Sequence, residues 1–144
     1  MSIKTIESLE QVLANTYSLY LKTQNYHWNV TGVNFKALHE LFGAQYESII
    51  PAIDEIAERI RALGKKVDGS YTNFDKLTKF SIPNKDLKSE EMVKDLVKSN
   101  KILIDIIKKS VSIAQKDKDD ASADILIVRI EEHQKMLWML ESSL

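Results

Sequence analysis

Two of the three histidines in this 144-residue chain, His27 and His39, stand in one short stretch, YHWNVTGVNFKALHE. Imidazole is a good ligand for transition metals, but two imidazoles leave a coordination sphere half filled. The chain holds no cysteine, which excludes disulfides and thiolate ligation. The next oxygen donors at ligand spacing are Asp54 and Glu58 in IDEIAER, four residues apart and therefore one turn above each other on a helix face. Two imidazoles and two carboxylates would suit iron or zinc. Each feature also has an ordinary reading. A histidine on an apolar stripe is commonly a hydrogen-bonded core residue, and an Asp/Glu pair on a helix is commonly a solvated face.

The elements that carry these residues are read from the apolar period. Ile6, Leu13, Tyr20 and His27 are spaced by sevens, with Leu9 between the first two and Val12, Leu19 and Tyr26 in a neighbouring row; this predicts a first helix that stops near VTG, at Gly32. Asn34 can cap a second helix. Phe35, His39, Phe42, Tyr46, Ile49, Ile53, Ile56, Ile60 and Leu63 then alternate steps of four and three, so that helix runs from about Asn34 to Gly64. Pro51 lies inside it and removes a backbone hydrogen bond at a cost of roughly 3 kcal/mol. The stripe passes Gly43 and Pro51 without losing phase, which predicts a kinked but continuous helix.

After Gly64 the pattern fails. The polar segment KKVDGSYTNFDKLTKFSIPNKDLK reads as a connection with one short helix around Phe74 to Phe80. A third long helix begins near Ser89 on Val93, Leu96, Val97, Leu103, Ile104, Ile107 and Val111. A fourth begins around Asp120 on Leu126, Ile130, His133, Leu137 and Leu140, with His133 read as packing. Two helical hairpins joined by a long crossover make an all-α, ferritin-like four-helix bundle, and residues 1–144 form a single domain of this kind.

Distance along the second helix limits the site. His39 and Asp54 are 15 residues apart, a span of about 22 Å at 1.5 Å per residue, too far to share an ion. A second copy packed antiparallel about a two-fold axis would bring the carboxylate end of one helix to the histidine end of the other, forming two identical sites.

Composition sets the remaining bounds. Twenty basic and twenty-one acidic side chains leave a net charge of −1, so no global field favours nucleic acid or a membrane. The opening MSIKTIESLEQVL does not read as a secretory signal, and the most apolar run, ILIDIIKKSV, is far short of a membrane span. The expectation is a soluble, cytoplasmic protein without a membrane partner.

NYHWNVTG, LHELF, IDEIAERI and the terminal MLWML together resemble the Dps-type mini-ferritins over nearly the whole chain, from the first long helix to the last, and the ordered set H-x11-H-x14-D-x3-E matches that family's pattern. The resemblance implies a hollow dodecamer built from dimers. It implies a ferroxidase that oxidises Fe(II), preferably with hydrogen peroxide, stores the ferric product as mineral and protects against oxidative stress. His27, His39, Asp54 and Glu58 would be the catalytic and metal-ligating residues, with zinc able to stand in for iron. Trp28 would stand beside the site as an electron donor or as interface packing. Asp119 and Asp124, with Asp120 near them, would line an acidic pore that admits iron at a three-fold axis.

One departure from the family pattern concerns the second iron position. Many relatives carry an acid four residues after the second histidine, where this chain has Gly43. Direct DNA binding is not expected, because only Lys4 precedes the first helical stripe and no lysine-rich arm is present. The competing functional class is a cage-forming structural or DNA-compacting protein with a degenerate metal site, which Gly43 and Pro51 favour.

Overall fold

The computed structural model of the protein describes residues 2–144. Five helices follow one another: α1 (Ile3–Asn29), α2 (Phe35–Ala62), α3 (Tyr71–Leu77), α4 (Ser89–Lys116) and α5 (Asp120–Glu141). The four long helices form two hairpins. α1 packs on α2 and α4 on α5, with α1 against α4 joining the pairs and α3 lying on α1 within the crossover. The result is the four-helix bundle with a short crossover helix that the apolar stripes predict.

Helix ends explain why the hairpins are tight. Ser2 caps α1 by accepting from the Lys4 amide, and Gly32, at φ +110°, lets the chain reverse where a side chain would be strained. Asn34 holds the N-cap position of α2, but its side chain makes no capping bond; the Phe35 amide donates to the Gly32 carbonyl at 3.1 Å instead. At the far end, the Gly64 amide donates to Arg61 and the Lys65 amide to Ile60, closing α2 as a Schellman motif with Gly64 at φ +101°. The same two-bond closure ends α4, with Lys118 at φ +57° in the position glycine usually takes. Asp119 then serves both helices, completing that closure with its amide and capping α5 with its side chain.

α2 is continuous through Gly43 and Pro51. Proline leaves the Glu47 carbonyl without its helical donor, but Glu47 and Pro51 are both exposed, so water can satisfy it.

The crossover helix lies three residues earlier than the sequence predicts, at Tyr71–Leu77 rather than Phe74–Phe80. Ser70 starts it by accepting from the Asn73 amide. Buried Asn15 stops it, accepting from the Lys79 amide and donating to the Leu77 carbonyl. Phe80 owes its apolar character to packing in the crossover, where Lys22 Nζ sits 5.0 Å from its ring centre.

Leu9, Tyr26, Phe42, Ile56, Leu103 and Leu126 are fully buried at the bundle centre. Full burial of each such aliphatic side chain stabilises by about 1.5–3 kcal/mol. A charged network ties the crossover to this core. Buried Lys22 donates to Asp95 at 3.0 Å, to Ser99 at 3.0 Å and to Ser81 at 3.2 Å, and the Tyr26 hydroxyl donates to the same Asp95 carboxylate. Burial lowers the Lys22 pKa and Asp95 works against that shift; burial likewise raises that of Tyr26.

Candidate metal centre

His27 lies in the last turn of α1 and His39 in the second turn of α2, and the reversal at Gly32 sets them face to face. Their rings stack with centres 3.8 Å apart and planes 15° from parallel. His27 Nδ1 is 2.6 Å from the His39 carbonyl oxygen, and His39 Nδ1 is 2.7 Å from the His27 carbonyl oxygen. A carbonyl only accepts, so each Nδ1 must carry the proton and donate it. This fixes which nitrogen of each ring carries the donated proton, so that Nε2 is the nitrogen each neutral imidazole would offer to a metal. Among the described residues, neither Nε2 makes a hydrogen bond.

Neighbouring side chains fix the pair on both sides. Phe35 stacks on His39, with ring centres 5.1 Å apart, and Tyr46 meets His27 edge-on at 5.3 Å. Gly43 lies beneath the His27 ring: a Cβ built there would stand 3.0 Å from Cε1 and 3.1 Å from Nδ1. Glycine at this position is thus a close approach, and any longer side chain would have to displace the imidazole. Trp28, next to the pair, is 64% exposed.

Asp54 and Glu58 are exposed on α2, and no hydrogen bond or ion pair engages either of them among the described residues. The structure therefore brings the two histidines together and leaves the two acids 15 and 19 residues beyond His39 along α2. Among the described residues no three of His, Asp and Glu gather closely enough within one chain to hold a metal.

The other sequence candidates are placed differently. Asp119 is engaged: it accepts from Arg59 at 2.9 Å, from the Ser122 amide at 3.0 Å and from the Ser122 hydroxyl. Burial works against its charge, but these donors outweigh that and hold its carboxyl below the usual carboxylate range. Asp120 and Asp124 are exposed on α5. His133 is fully buried; Nε2 accepts from Arg129 at 3.1 Å and Nδ1 donates to Asn100 at 3.3 Å. Burial, with the Arg129 cation beside it, pushes the His133 imidazole down to about 3.

Sequence reasoning does not find the carbonyl acceptors that orient His27 and His39, since backbone oxygens have no residue type. Nor does it find Arg59 as the partner of Asp119, 60 residues away.

The ferritin-like domain family model matches residues 6–144. An uncharacterized low temperature-induced protein of Nostoc sp. is 38% identical over 139 residues, which cover 95% of this chain and 78% of the relative. The DNA protection during starvation protein 2 of Bacillus anthracis is 33% identical over 144 residues, covering 100% of this chain and 99% of the relative. Among solved structures, the Dps protein from Vibrio cholerae O1, described as a member of a broad superfamily of ferritin-like diiron-carboxylate proteins, superposes with a TM-score of 0.92 at 28% identity, over 96% of this chain and 87% of that one. With its fold, its paired histidines and near full-length similarity in agreement, the chain belongs to the Dps family of the ferritin-like superfamily.

Proposed function

We propose that the protein is a ferroxidase and iron-storage cage, oxidising Fe(II) with hydrogen peroxide at sites shared between two copies and depositing Fe(III) inside a hollow dodecamer. The observation that carries this reading is the reciprocal histidine pair. Two oriented Nε2 lone pairs lack a third ligand from their own chain, while two unengaged carboxylates stand one turn apart at the other end of the helix. Antiparallel α2 helices would join the two halves. His27 and His39 of one copy would hold Fe(II) through neutral imidazoles, and Asp54 and Glu58 of the other would stabilise the added charge of the ferric product. Protein ligands that fill only part of the sphere leave positions for water and peroxide. Zinc would take the same donors without turnover.

Removal of Fe(II) and peroxide together would itself shield DNA, in keeping with the name of the Bacillus anthracis relative. The test is ferric absorbance after Fe(II) and peroxide are mixed anaerobically with the assembled protein and with the His27→Ala/His39→Ala variant. Faster ferric formation in the unsubstituted protein is expected. Equal rates overturn the proposal in favour of a structural cage with a degenerate site, and retardation of plasmid DNA at physiological salt would then identify that cage as a DNA-compacting one.

A further inference from the structure

The exposed charges on the face of α2 that carries Asp54 and Glu58 are placed symmetrically. Lys36, Glu40, Glu47, Asp54 and Glu58 follow one another at steps of 4, 7, 7 and 4 residues, and all five are exposed. At 3.6 residues per turn these steps keep them in one narrow stripe, with Glu47 at its centre. Within the chain the stripe has almost no partners. Lys36 reaches Glu40 at 3.9 Å with both side chains in solvent, and Glu47, Asp54 and Glu58 join no ion pair among the described residues. Glu55, the other exposed acid in this stretch, lies off the stripe, and its charge acts on Arg129 of α5.

Such a stripe suits an antiparallel copy of itself. Sharing of His27 and His39 with the mate's Asp54 and Glu58 sets His39 opposite the turn between those acids, which puts the two-fold axis halfway between, at Glu47 and Ser48. Lys36 then faces the mate's Glu58, Glu40 faces the mate's Asp54, and Glu47 faces its own copy. Each end of the contact gathers one ammonium and three carboxylates, a net charge of −2 that one divalent ion cancels, and the axis gathers two carboxylates more. Like charges opposed across a contact weaken it. We infer that α2 from Lys36 to Glu58 is the docking face for a second, antiparallel copy, that a divalent ion at each end supplies the charge that closes it, and that the Glu47 pair at the axis opposes closure without metal; this rests on the shared-site reading above.

Linkage gives the size of the effect. An ion that draws donors from both copies binds the pair far more tightly than either copy alone, so its binding and their association strengthen each other. With free metal at about 100 times its dissociation constant, each end raises association roughly 100-fold and the two together roughly 10⁴-fold. Assembly is then firmest where Fe(II) is present to be oxidised.

Two measurements test the face and its coupling to metal. The chain has no cysteine, so Glu47→Cys puts a single thiol at the axis, and a disulfide there needs Cβ atoms about 3.5–4.5 Å apart. Oxidation with diamide, read on a nonreducing gel, should link Glu47→Cys into dimers and leave Ala62→Cys, at the end of α2, unlinked. Urea dissociation followed by light scattering, with unfolding read by circular dichroism from the same samples, should move to higher urea when zinc replaces EDTA. That shift should be lost in His27→Ala/His39→Ala, and Glu47→Gln should dissociate at higher urea than the unsubstituted protein in EDTA. No link at residue 47 overturns the docking face. Equal midpoints in zinc and EDTA overturn the metal coupling, and a Glu47→Gln midpoint no higher than the unsubstituted one overturns the role of the axis pair. Zinc-coupled association together with no ferric absorbance from Fe(II) and peroxide would support the docking face and overturn the ferroxidase reading alone.

Discussion

His27 and His39 hold each other through their main chains: each Nδ1–H donates to the carbonyl oxygen of the other residue, at 2.6 and 2.7 Å. The acceptors are backbone atoms, so they survive changes of side chain. Replacing either histidine by alanine should remove one ligand while leaving the other ring in its Nδ1–H tautomer, and zinc affinity should fall at least about 100-fold. Histidine-selective 15N spectra read the tautomer and calorimetric titration reads the affinity. A ring protonated at Nε2 but not at Nδ1 in either residue would contradict the arrangement.

Gly43→Ala sets helix propensity against the metal pair. Alanine favours a helix interior by about 1 kcal/mol over glycine. Here its Cβ would meet His27 Cε1 at 3.0 Å, and that ring has little freedom because it stacks on His39 and donates to the His39 carbonyl. The expected outcome is zinc binding weakened by about tenfold or more, the effect of disturbing a ligand's support, with no gain in melting temperature. A more stable variant with unchanged affinity would show that the ring moves freely.

The buried His133 makes stability depend on acid. Its pKa is about 3 in the folded chain against an ordinary 6.5, because burial and then Arg129 disfavour the imidazolium. Folded and unfolded chains match above the ordinary value. As pH falls below it, the unfolded chain takes up a proton that the folded chain refuses until about 3, so stability is lost across that window. Between pH 7 and 5 the loss should be about 2 kcal/mol per chain. His133→Gln can still accept from Arg129 and donate to Asn100 but does not titrate. Urea unfolding at both pH values should give the variant a loss smaller by that amount, and equal losses would refute the assignment.

The long helices are legible because one side-chain period runs through each of them, and tertiary packing follows the same stripes. α3 is less so: its limits are set by Ser70 and Asn15, while the apolar pair Phe74 and Phe80, which draws the eye in the sequence, spans the helix and the crossover beyond it. Among candidate ligands, the types and spacing of His27 and His39 show in the sequence, but their mutual orientation does not. Tyr46 reads there as one more residue of an apolar stripe. Lys22 and Asp95, 73 positions apart, look like two ordinary helix-surface charges, and only the fold makes them a buried pair.

That pair should be unequal under substitution. Lys22 is fully buried and spends its donors on Asp95, Ser99 and Ser81, whereas the Asp95 side chain keeps 17% of its surface in solvent and also accepts from Tyr26. Asp95→Ala leaves an ammonium group buried without a counter-charge and should cost about 3–5 kcal/mol. Lys22→Met removes the buried charge itself and leaves a carboxylate that water can reach, so its cost should be smaller. Melting temperatures of the assembled variants test the order, and limited proteolysis should cut Asp95→Ala first within residues 78–88. The reverse order would mean that the lysine stem, rather than the ion pair, holds the crossover.

The proposed sharing of the site predicts rescue by mixing. A variant lacking both histidines, His27→Ala/His39→Ala, and one lacking both acids, Asp54→Ala/Glu58→Ala, should each be inactive as ferroxidases. In a mixed dimer one site loses all four ligands, and the other keeps two histidines from one copy and two acids from its mate. Random reassembly of equal amounts makes half the dimers mixed, so about a quarter of all sites should be intact and ferric formation should recover to about a quarter of the unsubstituted rate. A site built within one chain would give no recovery at any mixing ratio. With these four residues as the ligands, the histidine-to-acid separation of about 22 Å along α2 predicts the first outcome, since the continuous helix forbids those donors from meeting within a single copy.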